Sequence, residues 1–143
     1  MDGIKNIRLK DYNYSSNGYY FVTIACHDKN SFLIDLEEII EEAIKKVGQI
    51  DGVVIDYWTA MPDHLHLIIS LSNCSLKLGE VVRRLKALVS KEAGFKVWQP
   101  NYYEHVVRDK RALEKIRQYI IDNPLAEKIE FEQFYRKTDN TEL

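Results

Sequence analysis

Hydrophobic positions along this chain switch between a two-residue period and a helical one, and the switches mark its elements. Tyr19 to Cys26 (YYFVTIAC) is dense in aromatic and β-branched residues and predicts a strand. From Asp35 to Val47, the residues Leu36, Ile39, Ile40, Ala43, Ile44 and Val47 fall on one helical stripe, and Gly48 supplies a stop. Val53 to Ala60 predicts a second strand. Met61-Pro62-Asp63 then reads as a tight turn, because proline removes a ladder donor. His64 to Leu71 alternates His-Leu-His-Leu and predicts a third strand, hairpin-paired with the second.

Ser75 to Ala93 predicts a second amphipathic helix whose buried stripe is Leu78, Val81, Val82, Leu85, Leu88 and Val89, ended by Gly94. Tyr102 to Val107 predicts a short fourth strand after Pro100. Asp109 is placed to N-cap a third helix, which Pro124 terminates. The order is β-α-β-β-α-β plus a C-terminal helix, an α+β chain of the split βαβ, or ferredoxin-like, pattern. Such a sheet carries two helices on one face and leaves the other for a site or for the additional helix. No repeat or low-complexity linker interrupts the chain. One domain is expected over residues 1–143, with a core of about residues 8–124 and a polar tail of about residues 136–143.

Composition narrows the class. The 143 residues are 45% hydrophobic and 29% charged, enough for a buried core. No apolar run approaches the roughly 18–20 residues of a membrane helix. Met1 to Lys10 lacks the apolar stretch of a secretory signal, so a cytoplasmic protein without a membrane partner is expected. Cys26 and Cys74 form no CxxC pair and are expected to be reduced thiols. The net charge of −2 does not favour nucleic acid, but its distribution is uneven. Asp35 to Lys46 carries five acids and two bases, net −3. Ser75 to Ala93 (Lys77, Arg83, Arg84, Lys86, Lys91) and His105 to Tyr119 (Arg108, Lys110, Arg111, Lys115, Arg117) each carry five bases and two acids, net +3. These runs fit either a polarised surface or ordinary solvated helix faces.

Chemistry concentrates at two places. His64 and His66 are two apart on a strand, so both imidazoles face the same side, with Cα atoms roughly 6.5 Å apart. Leu65, Leu67, Ile69 and Leu71 face the other way, toward the helices. The pair can converge on one ion, although two polar residues on a half-exposed strand would show the same spacing. Two imidazoles also leave a coordination shell incomplete. On the last helix, Ala112, Ile116, Tyr119 and Asn123 share one side, bordered by Leu113 and Ile120. Packed on the open sheet face, that helix would bring the Tyr119 phenol and the Asn123 amide to the imidazoles. A core tyrosine and a helix-terminal asparagine would read the same way.

In combination these segments resemble a known family. Met-Pro-Asp-His-Leu-His-Leu-Ile (61–68) resembles the two-histidine strand of the HUH single-tyrosine transposases. Residues 98–109 (WQPNYYEHVVRD) and 116–124 (IRQYIIDNP) look like its downstream blocks, most like those of the REP-associated tyrosine transposases, and 18–23 (GYYFVT) resembles its first strand. The blocks keep the family's order and approximate spacing from about Arg8 to Pro124. The resemblance implies a divalent metal, Mg2+ or Mn2+, and single-stranded or hairpin DNA as partner. It also implies DNA transposition through cleavage and strand transfer by a covalent 5′-phosphotyrosine. His64 and His66 match the metal-binding histidines, Asn123 the third ligand and Tyr119 the nucleophile. Asp63 stands where Asn is commoner and is expected to add a carboxylate near the metal. Tyr102 and Tyr103 are alternative nucleophiles, less well placed because they fall in the strand block. Family members occur as monomers and as dimers that exchange the tyrosine helix, so a homodimer is left open.

A free phenol ionises near pH 10, so a tyrosine nucleophile needs activation. A metal-bound water and Lys86 are the candidates for general base. Arg83, Arg84, Lys86, Arg108 and Arg117 are candidates for backbone phosphates. Tyr12 and Tyr14 could stack on unpaired bases or pack at the domain edge. His105 could orient a ligand or phosphate, or serve structurally. The competing function is a DNA-binding or regulatory module that keeps the fold without cutting. A metal hydrolase that activates water with the histidines is another.

Overall fold

A computed structural model of the chain describes residues 17–27 and 33–122. Strand β1 (Gly18–Ala25) is followed by a short 3-10 turn (Leu33–Leu36) and helix α1 (Glu37–Val47). Strands β2 (Val53–Ala60) and β3 (His64–Leu71) form the expected hairpin. Helix α2 (Leu78–Ala93), strand β4 (Tyr103–Val107) and helix α3 (Lys110–Asp122) complete the order. The sheet order is β2-β3-β1-β4 and every pairing is antiparallel, the ferredoxin-like arrangement.

The period-two signal is sharpest at the hairpin, where both strand boundaries agree with the sequence reading. Helix ends differ more. α2 begins at Leu78 rather than Ser75, with Lys77 in an extended conformation at its N-cap. It closes on Gly94, whose φ of 85° is the left-handed geometry that a residue with a Cβ adopts at a cost. α1 is preceded by the 3-10 turn instead of running from Asp35. Asp109 caps α3 as expected: its Oδ1 accepts from the Ala112 N–H at 2.8 Å.

The two faces of the sheet bury different things. Tyr20, Val22, Ile24, Leu65, Leu67, Ile69 and Leu71 pack against the α1 and α2 stripes, among them Ile40, Ile44, Val47, Val81, Leu85 and Val89. Cys26 and Cys74 are both buried and are not joined in a disulfide. The opposite face holds a smaller cluster of Phe21, Ile68, Val107, Leu113, Ile116, Tyr119 and Ile120. Burial of each such apolar side chain contributes roughly 1.5–3 kcal/mol, so this cluster fixes α3 against the sheet.

Candidate active site on the α3 face of the sheet

The β1–β3 register places Thr23 opposite His66 and Ala25 opposite His64. Both imidazoles lie on the α3 face, as alternation along β3 requires. Their planes are 2° from parallel and their ring centroids are 6.0 Å apart. His66 is almost wholly buried (1% exposed), whereas His64 is half-buried at the end of the strand. An imidazole at such depth must be hydrogen-bonded, and Thr23 Oγ1 lies 2.9 Å from its Nδ1. His64 Nδ1 lies 2.6 Å from Asp63 Oδ1. Asp63 therefore touches the imidazole directly, an arrangement a turn signal does not disclose.

Tyr119 comes to this pair from α3. Its ring centroid is 6.0 Å from that of His66, with the planes at 65°, and it is 7% exposed. Phe21 closes a triangle with them, its ring centroid 5.7 Å from that of His66 and 6.1 Å from that of Tyr119. Phe21 and Thr23 escape a sequence search because a strand of aromatic and β-branched residues carries no catalytic signature. Of the alternative tyrosines, Tyr102 is packed in the α1–α2 core, whereas Tyr103 is half-buried beside the α3-face cluster and pairs with Thr23. Asn123, Tyr12 and Tyr14 lie outside the described residues.

Helix α3 is held by more than apolar contact. The β2–β3 register shifts between Ile55 and Tyr57, a β-bulge at Asp56. A bulge re-aims side chains, and here Asp56 accepts two hydrogen bonds from Arg117, at 2.7 and 3.1 Å. The guanidinium also lies 5.6 Å above the centre of the Tyr57 ring. Asp56 holds the Arg117 pKa above its ordinary value, so the charge is permanent. Arg117, two residues from Tyr119, thus docks the tyrosine helix.

The other cations occupy varied settings. Arg83 and Arg84 on α2 share the Glu80 carboxylate, and all three are solvent-facing or nearly so. Hydrogen bonds from Arg83 and then Arg84 hold the Glu80 carboxyl down at about 2. Lys86 donates to the carbonyls of Gln99 (2.8 Å), Pro100 (3.1 Å) and Asn101 (3.5 Å). Burial lowers its pKa to about 8. Those acceptors occupy the three N–H bonds of an ammonium, which makes Lys86 a strut for the loop before β4 and not a proton acceptor for Tyr119. Arg108 is exposed at the end of β4. His105 pairs with Phe21 in register, and burial, followed by the Arg108 charge, lowers its pKa.

The residues present suit a divalent cation in part. Two parallel imidazoles, each with Nδ1 engaged, supply nitrogen donors beside a phenol. Among the described residues no group of three or more His, Cys, Asp or Glu side chains could hold a metal. The third donor must therefore be of another kind or lie elsewhere, which an amide at position 123 would satisfy.

A ferredoxin-like sheet with a two-histidine strand and a tyrosine helix on its open face defines a class of DNA-processing proteins. The family model described as "Transposase IS200 like" matches residues 13–123. The chain belongs to this family, the HUH single-tyrosine transposases, DNA-processing enzymes of DNA transposition. A Haemophilus influenzae protein of uncharacterised function is 35% identical, covering 85% of this chain and 88% of the relative. The REP-associated tyrosine transposase of Escherichia coli K12 is 27% identical over 78% of this chain and 69% of its own length. The solved structure of a REP-associated tyrosine transposase bound to a REP hairpin superposes with a TM-score of 0.72 at 24% identity, covering 85% of this chain and 74% of the other. That likeness shows the same fold. No helix among the described residues is long and apolar enough to cross a membrane.

Proposed function

We propose that this chain cuts single-stranded DNA beside a hairpin and transfers the strand through a covalent 5′-phosphotyrosine on Tyr119. The observation that carries this reading is the meeting of Tyr119 with His66 inside one chain, ring centres 6.0 Å apart. A core tyrosine would need no imidazole pair beside it. The same proximity favours an enzyme over a binding module that has lost its chemistry. It also supports a site whose tyrosine comes from the same chain as its histidines. The hairpin partner is suggested by the REP hairpin on the structural neighbour and by the name of the Escherichia coli relative. In this reading the protein works in the cytoplasm.

His64, His66 and Asn123 would hold Mg2+ or Mn2+. When bound, such a cation neutralises phosphate charge and orients the phosphorus. The chain's own part is positional. Phe21, Ile116 and Ile120 hold the Tyr119 ring at the sheet, and burial limits water as a competing nucleophile. The tyrosine oxygen bonds to phosphorus as the bond to the 3′ oxygen breaks. The phenol gives up its proton and the departing oxygen gains one, leaving a 3′-OH. Because the phosphodiester is conserved on the protein, a second 3′-OH can displace Tyr119 and rejoin DNA without ATP. Arg108, Arg83, Arg84 and Arg117 are proposed to face the DNA backbone, with Arg108 the least committed by the ion pairs described above.

The test is a labelled single-stranded oligonucleotide carrying a hairpin, incubated with the protein and Mg2+ or Mn2+ and run under denaturing conditions. A downstream fragment linked to the protein through its 5′ phosphate and an upstream fragment ending in a free 3′-OH are expected, and Tyr119→Phe should form no adduct. Cleavage by Tyr119→Phe that leaves free phosphate ends would replace strand transfer with hydrolysis.

A further inference from the structure

We propose that Thr23 and Asp63 are positioning residues that set the tautomer and rotation of His66 and His64, presenting Nε2 of both rings to the cation. The proposal rests on the function proposed above in taking the cation as the ligand of the pair. Thr23 is the single polar side chain in the run Phe21 to Ile24, and all four of these residues are 0% exposed. A hydroxyl at that depth in a central strand is unfavourable unless bonded. Its cross-strand partner is His66, and Oγ1 to Nδ1 is 2.9 Å. Asp63 sits at the hairpin turn immediately before β3, with Oδ1 2.6 Å from His64 Nδ1.

The chemistry of the two contacts differs. A carboxylate accepts only, so His64 Nδ1 must carry the proton, and Nε2 then bears the lone pair. A hydroxyl can donate or accept, and the proposal assigns it as acceptor from His66 Nδ1–H. Both rings would then offer the same nitrogen. Their planes, already 2° from parallel, would be kept so by two anchors on different elements: the central strand β1 and the turn. Outer partners of this kind fix ligand orientation and raise ligand basicity, and their loss typically weakens metal binding 10–100-fold.

Two measurements on the full chain test this. Long-range proton–nitrogen spectra of the metal-free protein, at a pH where imidazoles are neutral, should show Nδ1–H on both His64 and His66. Calorimetric titration with Mn2+ should show about 10–100-fold weaker binding for Thr23→Val and for Asp63→Ala. Each change should mix the tautomers of its own ring alone. Thr23→Ser and Asp63→Asn keep an acceptor oxygen and should stay within a few-fold of the unaltered chain. Nε2–H rings in the unaltered protein would overturn the proposal even if a variant failed to fold. Equal Mn2+ affinity across folded variants would overturn it alone, whereas no Mn2+ binding by the unaltered chain would sink the proposed function with it.

Discussion

Arg117 of α3 reaches across 61 positions of sequence to grip Asp56 of β2 with two N–H···O bonds. The contact joins the tyrosine helix to the edge strand and is half-screened from water, with side-chain exposures of 28% and 18%. A planar fork matched to a carboxylate has a geometric specificity that a lysine cannot reproduce. Arg117→Lys and Asp56→Ala should both loosen α3. We expect a stability loss of about 1–3 kcal/mol in thermal or urea unfolding, with a larger proportional loss in adduct formation, because Tyr119 lies on the same helix. Unchanged adduct yield in folded Asp56→Ala would show that apolar packing alone positions the tyrosine.

Phe21 is the shared wall of His66 and Tyr119. Phe21→Ala should open a cavity and cost about 3–5 kcal/mol in unfolding measurements. Phe21→Leu keeps most of the volume but not the ring edge. It should retain the fold while slowing formation of the DNA-linked species, read as a lower single-turnover rate at saturating oligonucleotide.

Phosphate contacts should divide by how each cation is paired. Arg108→Ala is expected to weaken single-stranded DNA binding and reduce the slope of log affinity against log salt by about 1. Arg83 and Arg84 share Glu80, so Glu80→Gln should strengthen DNA binding and steepen that slope. A fluorescence anisotropy titration at several salt concentrations measures both, and a flat response to Arg108→Ala would remove that residue from the interface.

Lys86 makes a pH prediction. Burial lowers its folded pKa from 10.5 to about 8. Between those values the unfolded chain binds more protons than the folded one, so this residue's contribution to stability rises with pH across that window. In Lys86→Met the rise should be missing. The substitution should also leave the carbonyls of residues 99–101 without their donor, lowering stability at neutral pH. Unfolding free energies measured from pH 7 to pH 10.5 test both effects.

Asp109→Ala should cost about 0.5–2 kcal/mol by removing the cap from α3. Asp109→Asn should recover most of it, as read by the denaturation midpoint.

Much of this architecture was legible in one dimension. Alternation along His64 to Leu71 separated the histidines from the leucines that pack on α1 and α2. The helical stripes of α1 and α2 named every residue of those two helices that the larger core buries. Tyr119 was readable as a candidate because it shares a helix side with Ile116. Less legible were the helix starts, where weak capping left α2 to begin at Leu78. Asp56 could not be singled out, since a bulge depends on pairing between strands. Lys86 reads from sequence as one more free cation, and only the fold surrounds it with carbonyls.

Local patterning by itself settled the order of elements, the face of each strand and the pairing of the two histidines, because periodicity and turn chemistry act over a few residues. Tertiary structure decided what those residues meet. Thr23 beside His66, Asp56 beneath Arg117, and Tyr119 across from the imidazoles are each separated by long stretches of chain. Contacts of that kind are set when the sheet closes and α3 buries its apolar side, and no local propensity encodes them.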